Sequence, residues 1–255
     1  NKTMPENFKL KTRDQFSNLI SQRNRWRQVH DKLPGTKSFE NLIGSYWAKH
    51  NCSIEERIAF SSNNGETVDL QKDFQLALHC QASLWLLKRS QEDKELTVAD
   101  LLFVHQLLTD QTNSTKQTYR TSNIKPLIEG QDPPEWEVIP ELVKNSLEWF
   151  QADSFNEMHE VEKVALALIK LIDIQPFDQK NGTTLRLFSN IFLLQAGYPP
   201  AILRSDQADS YALAIKEALC FKTGPLVDLL TESVGHSLGL CLGENETKSP
   251  FVVLG

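Results

Sequence analysis

The chain has 255 residues, 40% hydrophobic and 24% charged, with 11 Gly, 11 Pro and a net charge of −6. These values exclude collagen-like, low-complexity and wholly disordered chains and fit one large domain, or one domain with a short extra lobe. The acidic balance argues against a nucleic-acid binder, and the longest apolar run, near position 165, is broken by Lys170 and Asp173, so nothing spans a bilayer.

In chain order the texture is helical. Thr12–Val29, with spaced Phe16, Leu19 and Ile20, predicts a surface helix that stops at Leu33-Pro34-Gly35. Ser38–Ala48 suits a second helix, and Asp69–Leu87 a longer buried one, with Phe74, Leu78, Ala82, Trp85 and Leu86 at 3–4 spacing. Thr97 caps Val98–Leu108, with Asp100 in the capping-box position. Ser122–Gly130 is the one stretch that reads as extended; Pro126 lacks an N–H, so a strand here is an edge. After the turn at Asp132-Pro133-Pro134, Val138–Phe150 is another helix.

Val161–Ile172 has a wide apolar face, which predicts the central helix. Thr184–Gln195 follows a polar turn and ends at Gly197-Tyr198-Pro199-Pro200. Asp206–Cys220 and Leu226–Leu238 close the domain, and the tail from Gly243 is polar apart from Phe251–Leu254. The expected division is an N-terminal helical extension over 1–38, a domain over 39–240 and a loose tail over 241–255.

The four cysteines, Cys52, Cys80, Cys220 and Cys241, form no CxxC or Cys/His cluster and read as free thiols. Asn-X-Ser/Thr sequons begin at Asn1, Asn51, Asn113, Asn181 and Asn245; a cytoplasmic location is the expectation, with secretion or translocation left open.

The segment that carries chemistry is Asp173–Arg186, between the two most apolar helices. An Asn-Gly turn opening a helix gathers backbone N–H groups and a positive helix end at one spot, with Arg186 one turn further on. The alternative is a plain interhelical turn in which Asn181-Gly182 supplies positive φ. This stretch resembles the signature loop of Fic (Fido) domain proteins, His-Pro-Phe-x-Asp/Glu-Gly-Asn-Gly-Arg-x-x-Arg. Further resemblances lie in His159–Ala165, in Phe188–Pro200, in Tyr119-Arg120 with Pro133-Pro134 and Glu148–Phe150, and in Ile58–Leu70. Together they cover about residues 40–238. The resemblance implies a mainly α Fic-type domain with a small β-hairpin, related to the protein AMP-transferases.

The departures from that pattern bear on function. Where the family has its general-base His the chain has Gln175, whose amide takes up no proton near neutral pH. Gln179 replaces the acid that holds Mg²⁺ in the family, Lys180 the first glycine and Thr183 the first arginine. Pro176, Phe177, Asn181, Gly182 and Arg186 match. No catalytic residue is therefore assigned, and the expectation is a degenerate Fic protein, inactive as an AMP-transferase and acting as a regulatory or protein/nucleotide-binding module. The alternative is an active transferase of AMP or another phosphate-containing group through a rearranged site, with Asp173, Asp178 and Lys180 as local replacement bases.

Lys180, Asn181, Gly182 and Arg186 are the candidate anion or nucleotide site. ATP or another nucleotide is the cofactor left open; Mg²⁺ and other metals are not expected. The family's inhibitory motif is met by Ser62 and Glu66, which would place Glu66 against Arg186; a second register puts Asn64-Gly65 there and leaves no inhibitory Glu. Ile124, Lys125, Leu127 and Ile128 resemble the hairpin on which the family lays target peptides. The expected partner is a protein target or regulator at that flap, with homo-oligomers left open and neither nucleic acid nor membrane. His105 reads as a packing histidine, and His159 resembles a family cap position before the central helix, which implies a structural role.

Overall fold

The computed structural model describes residues 16–30, 45–54, 69–110, 119–126 and 131–243. Among these the regular structure is helical, with no strand. The helices are α1 (Ser17–His30), α2 (45–54), α3 (Asp69–Ser90), α4 (Val98–Thr109), α5 (Ile139–Trp149), α6 (Asp153–Asn156), α7 (Glu160–Ile174), α8 (Asn181–Ser189), α9 (Ile191–Gln195), α10 (Ala208–Leu219) and α11 (Gly224–Cys241). Single 3-10 turns precede α5 (Trp136–Val138) and α10 (Ser205–Gln207).

Helix α7 is the hub. Its wide apolar face buries Val161, Val164, Ala165, Leu168, Leu171 and Ile172, and it packs against α5, α8, α9, α10 and α11. Its start is fixed locally: the His159 Nδ1 accepts from the Val161 N–H at 3.2 Å, and the Glu162 carboxylate accepts from the His159 N–H at 3.3 Å. Helix α4 begins with the same device, the Thr97 hydroxyl accepting from the Asp100 N–H at 3.3 Å and the Asp100 carboxylate from the Thr97 N–H at 2.8 Å. Arg89 clamps that carboxylate at 2.8 Å and 3.1 Å from the end of α3. Beside α7 the rings of Trp149, Phe150, Phe155 and Phe192 meet with centroids 5.0–5.8 Å apart, a cluster that ties α5, α6 and α9 together.

Several expected bounds shift, each for a readable reason. The first helix packs on α11, and Phe16, just before it, is buried in a stack 3.8 Å from the His159 ring, so this face belongs to the core rather than the surface. The described part of the second helix runs past Ala48 to Ile54, which is fully buried. The expected Val138–Phe150 helix is a 3-10 turn followed by α5, because Pro140 enters in the first turn, where its missing N–H is harmless. The expected Thr184–Gln195 helix starts earlier, at Asn181, and breaks at Asn190. There the Asn190 side chain donates to the Arg186 carbonyl at 2.8 Å and accepts from the Ala201 N–H at 2.7 Å, competing with helical continuation.

Of the expected hairpin, residues 119–126 run irregularly and Leu127, Ile128 and the rest of 127–130 lie outside the described residues. Ser62, Asn64, Gly65 and Glu66, with both registers of the inhibitory motif, lie outside them too.

Candidate functional site: the loop after the central helix

The chain leaves α7 through Gln175, which adopts the left-handed conformation at φ +46° and donates its N–H to the Leu171 carbonyl at 3.0 Å. The second left-handed residue is Lys180 at φ +61°, immediately before α8. This corrects the turn chemistry expected from sequence: Asn181-Gly182 supplies no positive φ but forms the first two residues of α8. The residue that would gain from being glycine is Lys180, where the Fic pattern has one.

Each residue of the loop is held by long-range contacts. The Gln175 side chain is buried and donates to the Gln131 side chain at 2.7 Å, and Gln131 donates onward to the Ile172 carbonyl at 2.6 Å. Arg120 is 1% exposed, and its guanidinium is spent on carbonyls: Gln175 at 2.8 Å, Ser122 at 2.9 Å, Pro134 at 2.5 Å and Ile174 at 3.5 Å. Its backbone N–H donates to the Pro176 carbonyl at 2.9 Å. Burial lowers the Arg120 pKa while Asp178 and Glu135 raise it, and a cation facing the carbonyl end of a helix is well placed electrostatically.

Phe177 is fully buried and stacks on the His105 ring at 3.8 Å. The Asn181 amide closes the loop by accepting from the Phe177 N–H at 2.9 Å and donating to the Phe177 carbonyl at 2.6 Å. His105 donates from Nε2 to the Gln179 carbonyl at 3.2 Å, as its reading as a packing residue required. Burial pushes its pKa down to about 4. Asp173, Asp178 and Gln179 are exposed, and Lys180 is half-buried.

Arg186 is 5% exposed and faces inward. Its Nε donates to the Asn51 side-chain oxygen at 2.5 Å and its Nη2 to the Asn51 carbonyl at 3.0 Å, while the guanidinium lies 5.5 Å from the Tyr211 ring centre. Asn51 in turn donates to the Thr183 carbonyl at 3.2 Å and to His79 Nε2 at 2.7 Å. His79 is fully buried, its Nδ1 3.1 Å from the Ser83 hydroxyl, and burial together with Arg186 pushes its pKa down to about 3. A neutral ring with Nδ1 protonated satisfies this geometry; a second proton on Nε2 would face an amide N–H.

The cavity beside Arg186, lined by Asn51, Trp47, Asn190 and Leu230 among others, measures about 10 Å³, room for one water. A groove of about 520 Å³ lies at the opposite end of α7, against Glu160 and Lys163.

The donor set does not suit Mg²⁺. Between α7 and α8 the only carboxylate is Asp178, exposed beside an amide and an ammonium, with Asp173 exposed on the last turn of α7, whereas Mg²⁺ is bound through carboxylates and phosphates. Among the described residues no group of three His, Cys, Asp or Glu could hold a metal, and no helix is long and apolar enough to cross a membrane.

Sequence reasoning missed Asn51, His79 and Gln131. Asn51 stood out only as a sequon, and that sequon and the one at Asn181 have asparagines just 4% and 6% exposed. Nothing in the neighbouring residues of these three signals a partner 28 to 135 positions away.

Residues 95–193 match the model of the Fic/DOC family. The protein adenylyltransferase Fic of Drosophila grimshawi is 30% identical over 149 residues, 58% of this chain and 30% of its own length; that of Drosophila ananassae gives the same figures. The chain thus spans about 30% of the length of these curated relatives. Among solved structures, a Fic domain-containing signalling protein from Bacteroides thetaiotaomicron superimposes with a TM-score of 0.70 at 15% identity, over 89% of this chain and 98% of that one. Fic-1 from C. elegans gives 0.65 at 20%, over 91% and 75%. At these identities the structural likeness speaks for the fold.

Proposed function

We propose that this chain, whose residues 95–193 match the Fic/DOC family model, serves as a non-catalytic regulatory module of that family, binding a partner protein rather than transferring AMP. The observation that carries the reading is the state of the loop. Gln175 stands where a general base is needed, and its amide is buried as a hydrogen-bond donor to Gln131. An amide in that role can neither accept a hydroxyl proton nor turn toward a substrate without leaving Gln131 unpaired.

The second support is Arg186. Its guanidinium is engaged by both oxygens of Asn51, next to space for a single water. A nucleotide phosphate would have to displace Asn51, which would strand contacts to His79 and Thr183 as well. Asn181 is committed to the Phe177 backbone. The candidate anion residues are therefore read as loop-closing residues. General-base catalysis is worth about 10²–10⁴-fold, so the loss at Gln175 alone is large.

The test is transfer from ATP labelled at its α-phosphate, with Mg²⁺ at neutral pH. The expected result is no label on the chain or on proteins of a cell extract, and none after Gln175→His, because Gln179, Lys180 and Thr183 remain. Calorimetry with ATP and pyrophosphate, with and without Mg²⁺, should give no heat at millimolar ligand. Robust transfer by the unmodified chain would overturn the reading.

A further inference from the structure

The stretch that follows Arg120 builds a second surface. Residues 126–143 contain Glu129, Asp132, Glu135, Glu137 and Glu141 and no lysine or arginine. In the structure Trp136 and Val138 stand 38% and 44% exposed on the 3-10 turn before α5, with Asp132, Glu135, Glu137 and Glu141 exposed around them. Asp132, Glu137 and Glu141 form no ion pair among the described residues.

This ridge is held in shape before anything binds. The Asn123 side chain accepts from the Trp136 N–H at 3.2 Å and donates to the Glu135 carboxylate. The Arg120 guanidinium fixes the Pro134 carbonyl at 2.5 Å, and Pro133, Pro134 and Pro140 restrict the backbone on either side. Ile139, next in sequence, is fully buried and anchors the turn to the core. A large aromatic kept exposed on a rigid turn loses little freedom when it is covered. Tryptophan is also the side chain most often found at the energetic centre of protein contacts.

We propose that the ridge Asp132–Glu141 is a docking surface for a basic segment of a partner protein, one whose arginine or lysine lies over the Trp136 ring between Glu135 and Glu137. The charge selects the occupant. A ring face attracts a cation, the flanking carboxylates add to that attraction, and the same field repels nucleic acid and anionic membranes. The inference rests on the partner-binding reading of the chain and gives that partner its chemistry.

The probe is a fluorescein-labelled 15-residue peptide of alternating Arg and Ser with one central Leu, followed by anisotropy at 50 and 300 mM salt. A Glu-for-Arg peptide is its counterpart. Three variants are compared with the unmodified chain: Trp136→Ala, the triple Glu135→Gln/Glu137→Gln/Glu141→Gln, and a triple that removes the same charge elsewhere, Glu92→Gln/Asp93→Asn/Glu95→Gln. The expected result is binding of the Arg peptide alone, weakened at least tenfold by either ridge variant and by the higher salt, and less than twofold by the distant triple.

Equal weakening by the distant triple, or none from Trp136→Ala, would reduce the effect to net charge and overturn the proposal. Ridge-dependent self-association in sedimentation without peptide would overturn it in favour of a second copy. Circular dichroism checks that each variant folds; if Trp136→Ala does not, Trp136→Phe and the glutamine triple carry the test. AMP transfer is read in a separate assay, so its discovery would overturn the non-catalytic reading and leave the anisotropy result to stand or fall alone.

Discussion

The two ends of α7 are built on opposite plans. At its start, His159 and Glu162 close a capping box within four residues, and the His159 ring is further held by Phe16, stacked at 3.8 Å, and by the Tyr198 hydroxyl, 3.4 Å from its Nε2. At its end, Gln175 turns left-handed and depends on Gln131 and Arg120, 44 and 55 residues away, while the loop beyond it depends on His105 and on Asn51 from α2. The cap at one end is local, whereas the turn at the other is set throughout by folding of the whole domain. The second plan puts a buried cation, two neutral histidines and a strained lysine around a single turn.

The largest expected effect is that of acid on the two buried histidines at that end. His79 and His105 have folded pKa values of about 3 and about 4, below the usual 6.5 of an unfolded histidine. A lowered folded pKa means that the unfolded chain takes up the proton first, so this stability is complete above about pH 6.5 and is lost as pH falls toward the folded values. Each ring should cost about 2 kcal/mol by pH 5, roughly 4 for the pair. Urea melts at pH 7.5 and 5 measure it, and His105→Phe, which keeps the stack on Phe177, should remove about half of the loss. A pH-independent midpoint would break the contrast.

Arg120→Ala comes next. It strips donors from the carbonyls of Gln175, Ser122 and Pro134 at once and should cost roughly 3 kcal/mol, with Arg120→Lys recovering little because an ammonium lacks the planar fork. The start of α7 should be milder: His159→Ala removes a cap and a ring contact, about 1–2 kcal/mol by chemical denaturation. The smallest effect has the opposite sign. Lys180→Gly relieves a left-handed lysine and should stabilise by about 0.5–1 kcal/mol in the same melts. Destabilisation there would show that the ammonium is worth more to the loop than the backbone strain it imposes.

What was legible in the sequence follows the same division. The capping box of α4, the central apolar face of α7 and the packing role of His105 were readable from residues close in sequence, while the cap role of His159 came through the family resemblance and its partner Glu162 was not foreseen. The loop stood out through its departures from a family pattern. Its wiring did not, because Asn51 with Arg186 and Gln131 with Gln175 are pairs that only the folded topology brings together. The position of positive φ was misread for a related reason. Asn-Gly is the usual carrier of a left-handed turn, yet the geometry between α7 and α8 assigns that conformation to Lys180, one residue earlier.

The buried amides of Asn51 and Asn181 have a consequence for the making of the protein. Both head an Asn-X-Ser/Thr tripeptide, and in the folded chain both side chains are tied into the loop, so no sugar can be attached there afterwards. A secretory host modifies such tripeptides on the nascent chain, before folding hides them. A glycan on either asparagine would then take the place of a contact that the loop needs, and the chain would be held as an unfoldable intermediate. Production of the same polypeptide by a route that adds no glycans and by one that does should therefore yield folded protein in the first case only, with Asn51 and Asn181 as the residues that impose the choice.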